Sequence, residues 1–152
     1  MKHVTRRRIV IALTVGVGLA LWASGIEAQS RPAPRSPMLI RSQIEKSLSL
    51  QREATATLGD PDRAVKLVYE SYVQMRAAHS SMVVNASSMK YPDPLFPASD
   101  ERVQRARGLI LRAHVALRDR GHWNGKGNPI DVARETLLES IRLTQTILAT
   151  TF

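Results

Sequence analysis

The chain has 152 residues, 43% of them apolar, and 22 Lys/Arg against 13 Asp/Glu for a formal charge of +9; this size fits one domain with a modest core and excludes a chain that is membrane-embedded throughout. It contains no cysteine, which excludes disulfides, Cys-ligated metal, thioether-attached haem and thiol catalysis. Stability must therefore come from packing.

Lys2, Arg6, Arg7 and Arg8 precede an uncharged apolar run over residues 9–26, followed by the small and polar stretch ASGIEAQS. This is the layout of a secretory signal: the charges stay on the cytoplasmic side, the apolar run partitions into the bilayer, and Ala28 suits the peptidase. Cleavage before Gln29 is expected, by the Sec route, although TRRRIVI is also compatible with twin-arginine export. The alternative is an uncleaved inner-membrane anchor, since the 18 residues from Ile9 to Ile26 are long enough to span a bilayer. In either case the folded part is expected outside the cytoplasm, periplasmic or secreted. Without residues 1–28 the chain keeps 18 Lys/Arg against 12 Asp/Glu, a net +6 on 124 residues. In that compartment such a field favours anionic envelope components, whether lipid headgroups, surface glycans or acidic envelope proteins, over nucleic acid.

Residues 29–36, QSRPAPRS, carry two prolines and Pro37 follows, with no apolar periodicity, so they read as an extended tether before a domain over 37–152. A first helix is predicted from the spacing of Ile40, Ile44, Leu48 and Leu58, with Ala54 and Thr55 beside them. Gly59 is expected to close it in the left-handed conformation, with Asp60 capping the next helix and Pro61 in its first turn. The second helix has the clearest period: Val65, Val68, Tyr72, Met75, His79, Met82, Ala86 and Met89 alternate spacings of three and four. It must stop at YPDPLFP, where Leu95 and Phe96 are expected to cover one end of the core.

Ser99, Asp100 and Glu101 supply a cap and negative charge for a third helix, whose face is Val103, Ala106, Ile110, Ala113 and Leu117 and whose stop is Gly121. Asn128 and Pro129 start the fourth, with Ile130, Ala133, Leu137, Ile141 and Leu148 inward and Phe152 joining them. No alternating strand pattern or internal repeat is present. The expected fold is all-α, an antiparallel up-down-up-down four-helix bundle preceded by a signal peptide and a Pro-rich tether.

The loop GHWNGKGNP resembles a phosphate cradle only superficially. A Walker loop needs four residues between its first glycine and Gly-Lys, then Ser or Thr; here three separate Gly121 from Gly125, Gly127 replaces the hydroxyl, and a helix precedes the loop where a strand is required. It reads as a helix stop and a helix start, with Trp123 folded onto the core or, with Lys126, exposed as a contact.

Met75, His79 and Met82 share one helical face and His114 lies on the third helix, a soft ligand set compatible with copper or haem iron. The competing reading is core-filling methionines and an internally bonded histidine. Arg105 and Arg112, seven apart on an arginine-rich helix, are candidates for contact with an anionic surface, as are Trp123 and Lys126. No nucleophile motif, HExxH pattern or inward carboxylate pair is present, so catalytic residues are not assigned and binding is expected in place of catalysis. The sequence thus points to an exported basic interaction protein, free-standing or a subunit of an envelope complex, with a metal or haem carrier as the alternative.

Overall fold

A computed structural model describes residues 34–88 and 101–152. Among these residues the fold is all-helical: α1 is Pro37–Ala56, α2 Pro61–Ser88, α3 Glu101–Arg118 and α4 Pro129–Thr151, with a short 3-10 turn at Arg120–His122. The signal-like segment, most of the tether, Met89, Leu95, Phe96 and Ser99 lie outside the described residues.

Local chemistry sets the helix starts. Ser36 accepts from the Leu39 N–H at 3.3 Å, Asp60 from Arg63 at 3.2 Å, and Asn128 from Ile130 at 2.9 Å, each satisfying an amide that the first turn leaves without a helical partner. Proline occupies the first turn of α1 and α4, where its missing N–H costs nothing. The glycines behave otherwise than expected. Neither Gly59 nor Gly121 has a positive φ; the single one among the described glycines is Gly127 at 83°. The α1 stop is made by Thr57, whose N–H bonds Ala54 O at 3.1 Å, so the left-handed closure expected at Gly59 is not used. At the tether's end, Asn85 on α2 binds Arg35 twice, accepting from its N–H at 2.9 Å and donating to its carbonyl at 2.7 Å. Pro34–Phe152 form one compact unit.

The heaviest packing is within α1–α2 and α3–α4, with α2–α3 lighter and α1–α4 lightest. Polar pairs between α2 and the chain from Arg35 through α1 run in inverse order, Arg35 with Asn85, Ser47 with Ser71, and Glu53 with Arg63.

The core repeats at spacings of three and four. On α3 it is the expected Val103, Ala106, Ile110, Ala113 and Leu117, all fully buried. On α2 the phase differs. The buried positions are Ala64, Val68, Ser71, Met75, Ala78, Met82 and Asn85, so Val68, Met75 and Met82 are as expected, whereas Val65, Tyr72, His79 and Ala86 sit one residue off, at the rim. Their place is taken by small residues that let α1 approach. Likewise Ser140, Thr144 and Ile147 are buried on α4 while Ile130, Ile141 and Leu148 are only partly covered.

The serines and the buried amide form a polar layer through the core. Ser47 and Ser71 place their Oγ atoms 2.8 Å apart, and each reaches the other's backbone carbonyl at 3.0 Å. Gln51 donates to Ser47 at 3.3 Å and to Thr144 at 3.5 Å, Thr144 donates to the Ser140 carbonyl at 2.7 Å, and Ser140 to that of Ala106 at 3.4 Å. The layer thereby touches all four helices. One acceptor is left over: Gln51 Oε1 is buried without a partner. An unpaired buried acceptor costs about 1–3 kcal/mol. We predict that Gln51→Met, which removes that acceptor and leaves the Ser47–Ser71 contact in place, raises the urea-unfolding free energy by about 1 kcal/mol. Ser71→Val, which forces a close helix contact apart, should lower it by about 1–3 kcal/mol. If Gln51→Met lowered stability as much as Ser71→Val, the amide would be a net contributor and the reading of this layer would be wrong.

Candidate functional site

The loop whose sequence suggests a phosphate site is a structural corner. The Trp123 indole is half-buried against the core and donates to Gly127 O at 3.1 Å. A Cβ on Gly125 would collide with the indole ring, so glycine there lets the ring lie over the backbone. Gly127 then takes the left-handed turn into the Asn128 cap. Trp123 therefore turns inward, and Lys126 remains exposed.

Of the two α3 arginines expected to meet an anion, Arg105 is paired with Glu139 on α4 and Arg112 is exposed. The α3–α4 side is thereby partly neutralised. Met75 and Met82 are buried, 0% and 2% exposed, among apolar neighbours of the core. The His79 imidazole turns instead to the rim, where Arg107 Nη1 lies 3.2 Å from Nδ1. A guanidinium can only donate, so Nδ1 accepts and the neutral ring carries its proton on Nε2. His114 lies seven residues after Arg107, about 10 Å along α3 at 1.5 Å per residue. There it packs on Tyr69 with ring centroids 5.4 Å apart, and its Nδ1 is buried without a partner. The structure thus separates the two imidazoles along α3, and the described residues contain no group of three or more His, Cys, Asp or Glu placed to hold a metal ion.

What it does bring together is a face shared by α2 and α3. Tyr69, Arg76 and Val83 are seven apart on α2 and all exposed; on α3, Arg107, Leu111, His114 and Arg118 succeed one another at spacings of four, three and four. The His79–Arg107 and Tyr69–His114 contacts lock the two stripes side by side. At one end an open groove of 430 Å³ is lined by Val65, Lys66, Tyr69, Glu70, His114 and Arg118. Two carboxylates at that end are engaged: Arg118 holds Asp119 at 2.8 Å and Arg120 holds Asp62 at 2.6 Å. Neither Arg76 nor Arg107 has a carboxylate within ion-pairing distance among the described residues.

Tyr69, Arg76 and Leu111 do not stand out in the sequence, and Arg107 is visible there only as one of the arginines of the third helix. The seven-residue spacing from Tyr69 to Val83 is the available signal, and it is masked because Tyr72 and His79 fit an apolar core stripe.

Burial lowers the pKa of His79 below the ordinary 6.5, and the Arg107 charge lowers it further. For His114, burial again lowers it most; a backbone hydrogen bond at Val65 opposes, Arg118 adds to the lowering and Asp119 opposes. Both rings are neutral in the fold at pH values where the unfolded chain begins to take up protons. Stability therefore rises with pH across the window just below 6.5 and is lost as the pH falls through it. The melting temperature should drop between about pH 7.5 and 5.5, above the range of ordinary carboxylates, and His79→Gln or His114→Gln should shrink the drop. A flat profile would contradict the burial of both rings.

Comparison with protein-family models, with curated proteins and with solved structures finds no match to this chain.

Proposed function

We propose that this protein is an exported, basic helical binding protein whose partner is an anionic component of the cell envelope. Its four helices form an antiparallel up-down-up-down bundle, a reading supported by the inverse order of the polar pairs along α2 and by the ring of packing from α1 through α4 back to α1. Export is supported by the arrangement of residues 1–28, in which arginines precede an apolar run and a small-residue site. The segment over 9–26 serves as the leader, and the chain acts from Gln29 onward.

The observation that carries the binding reading is the pair Arg76 and Arg107 on the shared α2–α3 face. A guanidinium with no carboxylate beside it is a standing donor for phosphate, sulfate or carboxylate groups. Two such groups among exposed apolar side chains make a contact surface, and none of the residues named on that face forms a nucleophile–base pair for catalysis. The net +6 of residues 29–152 adds a long-range attraction to the same class of partner.

The test is to express the full chain with its own leader, recover the exported form, determine its N-terminus and pass it over an immobilised soluble polyanion such as heparin. The expected results are an N-terminus at Gln29 and retention at low salt that is lost as the ionic strength rises, because screening weakens such contacts. Flow-through at low salt would refute the anionic partner, and recovery of the protein only in the cytoplasm would refute export.

A further inference from the structure

We propose that the α2–α3 face docks on a negatively charged lipid bilayer. The guanidinium groups of Arg76 and Arg107 meet headgroup phosphates, while Tyr69, Val83 and Leu111 enter the boundary with the acyl chains. The inference rests on the anionic-partner reading and names the physical form of that partner.

Three observations carry it. The first is the order of side chains on the face. Tyr69, Arg76 and Val83 run apolar, basic, apolar along about 21 Å of α2, fourteen residues at 1.5 Å each, and Leu111 lies one turn from Arg107 on α3. Arginine also occurs at the centre of protein interfaces, but there a desolvated guanidinium needs a carboxylate or carbonyl of the partner beside it. Here the cations are central. A headgroup layer is anionic and wet at the depth the arginines reach, so they need not be stripped of polar partners, and their long stems let the charge extend while the apolar part stays in contact.

The second is exposure. Tyr69, Val83 and Leu111 are 53%, 44% and 41% exposed, an apolar cost in water that partition into the interface would recover; tyrosine in particular suits that depth, with an apolar ring and a polar tip. The third is the weakness of opposing charge. Asp62 and Asp119, at the groove end of this face, are both held by arginines, and the carboxylate of Glu70 in the groove lining is offset by Lys66 one turn before it in the same lining; on the α3–α4 side Arg105 is already occupied by Glu139.

The experiment uses the chain from Gln29 onward, which contains the compact unit Pro34–Phe152. It is co-sedimented at low salt with vesicles of phosphatidylcholine alone or with about a third phosphatidylglycerol, with retention on heparin measured in parallel. Binding to the anionic vesicles and not to the neutral ones is expected. Arg76→Gln and Arg107→Gln should each weaken it about fivefold, the contribution of one basic residue at an anionic surface. Tyr69→Ser should weaken it too. Arg112→Gln and Arg142→Gln, outside the proposed face, should leave it unchanged, with circular dichroism confirming that every variant is folded. Retention on heparin that depends on Arg76 and Arg107, without vesicle binding, would overturn the bilayer and leave the anionic-partner reading standing, with an acidic macromolecule in the lipid's place. Failure on both would overturn both. Vesicle binding weakened equally by Arg112→Gln would overturn the assigned face.

Discussion

The contact between Ser47 and Ser71 governs how closely α1 and α2 approach, and with it the rotation of α2 about its own axis. Two hydroxyls 2.8 Å apart, each within 3.0 Å of the other's backbone carbonyl and sharing their two protons among these contacts, hold the two helices closer than a leucine or valine pair would allow. Only small side chains fit along such a seam. Ala64 and Ala78 lie one heptad to either side of Ser71 and are fully buried with it, so the whole of α2 is phased by its small residues. The seam continues into the other helices through Gln51 and Thr144, which fixes register at some cost in stability, since an amide with one free acceptor sits where an apolar group could pack.

That phase decides what the surface presents. With Ala64, Ser71 and Ala78 inward, the next residue after each of them, Val65, Tyr72 and His79, moves to the rim. His79 then meets Arg107, and Tyr69 meets His114. Neither contact is an ion pair. Arg107 keeps its full charge beside a neutral ring, and Arg76, one turn from Tyr72, faces solvent with no carboxylate within ion-pairing distance among the described residues. Elsewhere on α3, Arg105 is paired with Glu139 of α4. The phase of α2 thus leaves Arg76 and Arg107 together on one face.

Much of the fold is legible in the sequence. The four helices, the Asp60 cap, the Asn128–Pro129 start and the α3 core stripe all come from local rules that depend on a few neighbouring residues. The phase of α2 and α4 is not legible there. Counting apolar residues places Tyr72 and His79 inside and passes over Ser71, and it says nothing of the polar pairing that joins elements far away in sequence: Gln51 and Thr144 are 93 residues apart. The same limit applies to the site. The arginines of α3 are visible in the sequence, but which of them is neutralised depends on Glu139 across the helix pair. The glycines show it in miniature: Gly59 and Gly121 sit where helices stop yet keep ordinary backbone angles, while Gly127 takes the turn and Gly125 makes room for Trp123.

Because the chain has no cysteine of its own, the phase of α2 can be measured by cross-linking introduced pairs. The double variant Ser47→Cys/Ser71→Cys should oxidise readily to an intramolecular disulfide, since the two side-chain atoms already approach to 2.8 Å and a disulfide requires only a modest further closure. The pair Ser47→Cys/Tyr72→Cys, matched to the phase that apolar periodicity favours, should remain reduced under the same conditions. Rapid cross-linking of the second pair with the first left as free thiols would contradict the α2 phase described above, and with it the origin of the α2–α3 face.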